Sequence, residues 1–197
     1  MSHDFANKDL SRQDFSEQSL DGVDFSNANL AGANLNRASL VDANLSNTNL
    51  AGANLSHGIL NQANLSNANL CGAILIEATL DGADLCNADL TGAKLSMAKI
   101  SHADLCGTKF VDASLIEAQF GHVNLVDADF RRSTLIGVTI EQSNLDNVDL
   151  AHANLHRATL SGVSMRSANL FGTDLSQATL DQVDLQDANI NGTKKDE

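Results

Sequence analysis

Proline, tryptophan and tyrosine are absent from this 197-residue sequence, only 3 cysteines occur, and 12 Lys+Arg stand against 25 Asp+Glu. The shortage of basic residues argues against direct nucleic-acid binding, which needs Lys and Arg to displace counterions from phosphates. Three scattered cysteines do not make a disulfide framework and suggest a reducing compartment. Long apolar runs are missing too, so no membrane span is expected. The first ten residues, MSHDFANKDL, lack the basic flank and apolar stretch of a signal peptide. A cytoplasmic location is expected from that. Aromatic residues make up only 4% against 43% hydrophobic, so the core is expected to be aliphatic and narrow.

What the sequence has in abundance is repetition. Every fifth residue from Phe5 to Ile190 is large and apolar, 28 Leu, 6 Phe, 3 Ile and Met165. Two residues earlier, from Val23 to Ala188, stands a small residue, most often Ala; Asn or Asp fills the position between them in 23 of the 38 units. A helix would scatter a five-residue repeat around its circumference, and a flat strand would send successive Leu to opposite faces. A three-residue segment, in, out and in again, followed by a two-residue corner satisfies the pattern. Eleven of the 13 Gly occupy the second corner position, where a positive φ costs Gly nothing and Asn little.

A longer period closes the figure. Ser26-Asn27, Ser46-Asn47, Ser66-Asn67 and Cys86-Asn87 recur every 20 residues, which gives four sides to a coil. The chain is therefore read as an all-β solenoid in which residue n stacks on n+20. Its 38 units make about 9.5 coils, a single rod roughly 45 Å long at the spacing of paired strands.

Units such as AGANL, SNANL and DGADL resemble the A(D/N)LXX motif of the pentapeptide-repeat family over residues 3–192, nearly the whole chain. The resemblance implies a right-handed quadrilateral parallel β-helix. It says little about function, since members range from DNA mimics that bind type II topoisomerases to proteins of no known activity, many of them cyanobacterial.

One continuous array over 1–197, with 193–197 as a charged tail, is expected. Phe5, Phe15 and Phe25 open it, and a second trio, Phe110, Phe120 and Phe130, follows 105 residues later. Second-corner Gly lie at positions ending in 2 up to Gly92 and then at Gly107 and Gly137. Fusion of two arrays near residue 100 and drift within one array both fit. No capping helix is expected, so Phe5, Leu10 and Phe15 at one end and Leu180, Leu185 and Ile190 at the other should offer apolar cross-sections and open edges. End-to-end homodimerisation is expected chiefly at the Phe5, Leu10, Phe15 end.

No pattern calls for catalysis, a cofactor or a metal. His102 and His122 share a corner column, but its neighbours Gly82 and Gln142 complete no ligand set. Cys86 and Cys106 are also column neighbours. Free thiols are expected there, since parallel side chains in register seldom reach disulfide torsion. Asp112, Arg132 and His152 should form one surface ladder, and Lys109 should sit between Asp89 and Asp129. Arg131-Arg132 is read as a solvated basic doublet.

The leading expectation is a non-catalytic structural or protein-interaction solenoid. The alternative, which the family resemblance implies, is an acidic DNA mimic that binds DNA gyrase and inhibits or protects it. The acids Asp84 and Asp104 align on one face and would carry partner binding. Charge density weighs against mimicry, because ~45 Å of duplex holds about 26 phosphates and the chain carries −13. Residues 43–76 contain no Asp, Glu, Lys or Arg, leaving an uncharged band across the rod.

Overall fold

Within each unit the small and the large apolar side chains point inward and the residue between them points out. Ala28 and Leu30 are buried, and Asn29 between them is half-buried. The computed structural model describes residues 4–196. His3, where the expected array begins, and Glu197, the last residue of the charged tail, lie outside the described residues.

Coils stack in parallel with an offset of 20 residues. Asp4 bridges Asp24, and the same register recurs up to Asp174 and Lys194. Each unit reaches both neighbouring coils through its backbone: Leu30 N–H donates to Asn49 O at 2.7 Å, and Asn49 N–H donates to Ala28 O at 3.0 Å. The second-corner N–H adds another link, as from Asn27 to Ser46 O at 3.0 Å. Within the corner, Ala33 N–H donates back to Leu30 O at 2.9 Å. The polar backbone is thus satisfied although each straight segment is only three residues long.

The second corner position has a positive φ throughout, from Asn7 to Gly192, between 46° and 69°. Gly and Asn were expected there. Arg12, Glu17, Met97 and His122 adopt it as well, and no Val, Ile or Thr does, which agrees with the higher cost of this region to β-branched residues.

One corner changes character partway along. At Val23, Ala43, Ala63 and Ala83 the N–H donates back across the corner to the preceding large residue. From residue 101 onward this corner opens and the backbone extends into β1 (Lys99–Ser101), β2 (Gln119–Gly121), β3 (Thr139–Glu141), β4 (Thr159–Ser161) and β5 (Thr179–Asp181). They form one parallel sheet in the order β1-β2-β3-β4-β5, with Ile100, Phe120, Ile140, Leu160 and Leu180 in register. The change falls just before Phe returns to the core at Phe110, and nothing in the corner residues themselves explains it.

The core is one column of Leu and Ala running the length of the rod. Where a Thr replaces Ala, its hydroxyl reaches a carbonyl one coil away: Thr48 donates to Phe25 O, Thr108 to Leu85 O and Thr173 to Leu150 O, each at 2.8 Å. A polar atom therefore enters the aliphatic column with its partner supplied.

The two ends differ. Phe5 stacks on Phe25 with centroids 5.2 Å apart, and Phe15 meets both rings edge-on at 6.0 and 6.1 Å. Leu10 and Phe15 are each only 6% exposed. At the opposite end Leu180 is 39% and Ile190 44% exposed. Lys194, expected in a free tail, instead continues the ladder above Asp174 and lies 3.7 Å from its carboxylate.

Candidate functional site

The outward residue of each unit builds a ladder along one of four faces. An Asn here does two things. Its Oδ1 accepts the N–H two residues on, fixing the corner, and its Nδ2 donates to the Oδ1 one coil before. Asn69 donates to Asn49, Asn49 to Asn29 and Asn29 to Asp9, at 3.1, 3.0 and 3.0 Å. Asp can accept in such a chain but cannot donate, so it suits the bottom rung.

Asp84 and Asp104 are ladder partners, bridged one coil apart. Asp84 Oδ1 accepts the Cys86 N–H at 2.9 Å. Asp104 Oδ1 accepts the Cys106 N–H at 3.2 Å and Asn124 Nδ2 at 2.9 Å. The structure therefore brings the two aligned acids together and sets Cys86 and Cys106 beside them. The expectation of free thiols at Cys86 and Cys106 is corrected: their sulfurs are joined in a disulfide, with Cα atoms 4.8 Å apart. In-register stacking one coil apart already holds the two Cα within disulfide range, and that proximity outweighs the parallel orientation. Cys71 remains free, its thiol pushed up by burial and by the neighbouring Asp89 carboxylate.

The other charged groups are committed to partners. Arg132 grips Asp112 through two bonds of 2.8 and 2.7 Å, and the hydrogen bond from that guanidinium holds the Asp112 carboxyl below its ordinary range. His152, next in the column, packs edge-on against Phe171 at 5.4 Å instead of extending the ion ladder. Arg131 binds Asp129 at 2.8 and 2.6 Å and lies 3.9 Å from Asp149, so the basic doublet is paired side by side with acids. Lys109 leans toward Asp89 at 3.9 Å. His102 and His122 stack with ring centroids 5.3 Å apart, and His102 Nδ1 lies 3.0 Å from Asp81 Oδ1. Exposed pairs of this kind contribute little to stability.

Concave features are shallow. A groove of about 450 Å³ runs over Glu77, Thr79, Met97, Lys99, Glu117 and Gln119, and a smaller one of about 270 Å³ lies over Ser101, Gln119 and Thr139. Sequence reading did not pick out this face, although Ile59 and Met97, both exposed, mark it in the repeat as apolar residues at outward positions.

Two family profiles cover most of the chain. The one for pentapeptide repeats, eight copies, matches residues 9–47, 19–56, 48–85 and 75–107, and that for a pentapeptide repeat region matches 113–190. The chain belongs to the pentapeptide-repeat family. Among solved pentapeptide-repeat structures, it is 30% identical to HetL of the cyanobacterium Nostoc sp. strain PCC 7120, a protein involved in heterocyst differentiation regulation. That match covers 94% of this chain and 90% of HetL, with a TM-score of 0.47. A pentapeptide repeat protein of the Arabidopsis thaliana thylakoid lumen is 35% identical over 48% of this chain and 66% of its own, TM-score 0.48. QnrB1, a plasmid-mediated fluoroquinolone resistance protein, is 20% identical over 100% and 92% of the two chains, TM-score 0.56. No curated protein matches the chain significantly. No helix among the described residues is long and apolar enough to cross a membrane.

Proposed function

We propose that this pentapeptide-repeat protein is a non-catalytic, cytoplasmic interaction rod that docks a protein partner on its flat ladders. The observation that best supports this reading is the surface itself: outward side chains spaced one coil apart in continuous rows, relieved only by shallow grooves. Catalysis draws on concave sites that hold several groups around one reacting atom, and such a surface favours broad, flat docking. The acidic pair Asp84 and Asp104 is the proposed centre of the partner-binding face. End-to-end pairing through Phe5, Leu10 and Phe15 belongs to the same reading, and so does an origin of the rod by fusion of two arrays near residue 100.

Affinity capture from the source cell tests it. A partner retained by the immobilised protein should be displaced by free protein. It should be missed by a folded variant carrying Asp84→Lys with Asp104→Lys. Capture that survives both conditions contradicts the assigned face.

The second reading is mimicry of DNA toward gyrase. The excess of acid favours it, and the family includes QnrB1, whose name ties it to fluoroquinolone resistance. The uncharged band over residues 43–76 interrupts the acidic surface such a mimic would present, which ranks this reading second.

A further inference from the structure

Four potential ligand groups converge where the acidic ladder meets the cysteine column. Ligand atoms of Cys86, Cys106 and Asp104 all lie within 4.8 Å of one another, and Asp84 is the ladder partner of Asp104. Oδ1 of Asp104 is occupied by two hydrogen bonds, from Cys106 N–H and Asn124 Nδ2. Its Oδ2 accepts none among the described residues.

The step from Asp84 to Asp104 is also electrostatically anomalous. Where other acids stack, a cation intervenes: Arg131 reaches Asp129 at 2.6 Å and Asp149 at 3.9 Å, and Lys109 inserts between Asp89 and Asp129 in the ladder. Elsewhere an Asn takes the upper rung and donates downward, as Asn29 does to Asp9. Between Asp84 and Asp104 there is neither donor nor cation among the described residues. Both carboxylates face the only stacked thiol pair that the sequence contains.

We propose that Cys86, Cys106 and Asp104, once the disulfide is reduced, bind a thiophilic divalent cation of the zinc class. Reduction is by a dithiol. Its two S–H groups give up two electrons and two protons and close into the dithiol's own disulfide, while Cys86 and Cys106 each become a thiol. Cation binding then forms two metal–sulfur bonds and one metal–oxygen bond and releases the two thiol protons. Tetrahedral zinc with Zn–S of ~2.3 Å separates two sulfurs by about 3.8 Å, a distance that Cα atoms 4.8 Å apart can present. Soft thiolates with one carboxylate select zinc-like ions over magnesium or calcium. The site is bounded above and below, because Ser66 and Val126 continue the column without a comparable ligand. Oxidation and cation binding therefore compete for the same two sulfurs, and the coil joint between them is closed by either one.

The test uses the full chain, reduced anaerobically with a dithiol that is then removed, and titrated with Co²⁺ as the optical probe. The expected result is a 1:1 end point with a thiolate-to-cobalt charge-transfer band and visible bands of tetrahedral strength, both abolished by added Zn²⁺. Cys86→Ser and Cys106→Ser should each remove the charge-transfer end point, and Cys71→Ser should keep it. Asp104→Asn, which suits the ladder and should fold, is expected to weaken binding by at least the roughly tenfold that even outer-shell changes cause. Circular dichroism of each variant shows that the rod is intact. Absence of the band in the folded, reduced protein overturns the proposal, as does a band that survives Cys86→Ser or disappears with Cys71→Ser. Unchanged affinity in Asp104→Asn removes the carboxylate from the assigned set.

Discussion

At the scale of single residues, the second corner position decides most. Its positive φ is imposed by the coil, whatever residue is present, and an ordinary L-residue there costs roughly 1–2 kcal/mol relative to Gly. Met97 sits at φ 59° with its side chain exposed, so it gives up backbone energy for little packing. Met97→Asn is expected to stabilise the protein by about 0.5–1 kcal/mol, since Asn tolerates this region, and chemical denaturation will read the gain. The aspartates make a second residue-level prediction. Asp24 is held below its ordinary value by the Ser26 backbone N–H and hydroxyl, Asp174 by the Ser176 hydroxyl and N–H, and Asp184 by the Gln186 N–H and Arg166. A folded-state pKa that is depressed adds stability above the unfolded value, near 3.8, and loses it as pH falls through the folded one. Thermal stability should accordingly be level from neutral pH down to about 5 and fall steeply below 4. Asp24→Asn should make that fall shallower, as measured by melting across a pH series.

The ladder role of Asn was half legible in the sequence. Its outward place followed from the alternation, but the downward Nδ2 bond depends on what stands 20 residues earlier, and only a settled register reveals it. The corner tolerance of Arg, Glu and His was not legible. Gly and Asn advertise positive φ, whereas the avoidance of Val, Ile and Thr is a subtler sign of the same constraint.

At the scale of the coil, stability is a nearest-neighbour property, because each unit makes its backbone bonds to the coils on either side. Leu85 is buried in the middle of the column. Leu85→Ala should cost about 2–5 kcal/mol through the cavity it leaves, and Leu85→Asp should unfold the rod at ambient temperature, with circular dichroism as the readout. Full thermal stability of Leu85→Asp would contradict the column. The four-sided coil was readable because two periods, five and 20, divide cleanly. The opening of one corner at residue 101 was not, since Ser101 and Ala103 are residue types that serve closed corners elsewhere. The joined Cys86 and Cys106 lie between these cases: the column spacing was visible, but the conformational freedom of two side chains one coil apart was underestimated.

At the scale of the whole molecule, the repeat speaks clearly about architecture and quietly about purpose. Every unit is selected first for stacking, so most surface residues carry a structural explanation of their own, and departures from the repeat are where function can be read. The like-charge step at Asp84 and Asp104, the apolar outward residues Ile59 and Met97, and the uncharged band over 43–76 are such departures. The two ends are another. Phe5, Phe15 and Phe25 cluster at one, while Leu180 and Ile190 stay exposed at the other.

The account's central claim is that this rod binds a protein by its shape and its local side chains, and does not imitate the charge of DNA. A supercoiling assay with bacterial DNA gyrase, titrated with the protein in the presence and absence of a cleavage-stabilising quinolone, tests that claim most directly. The account predicts no inhibition and no protection at a large molar excess. Inhibition or protection at micromolar concentration, lost when Asp84→Lys and Asp104→Lys are combined, would contradict it and make the acidic face a DNA mimic.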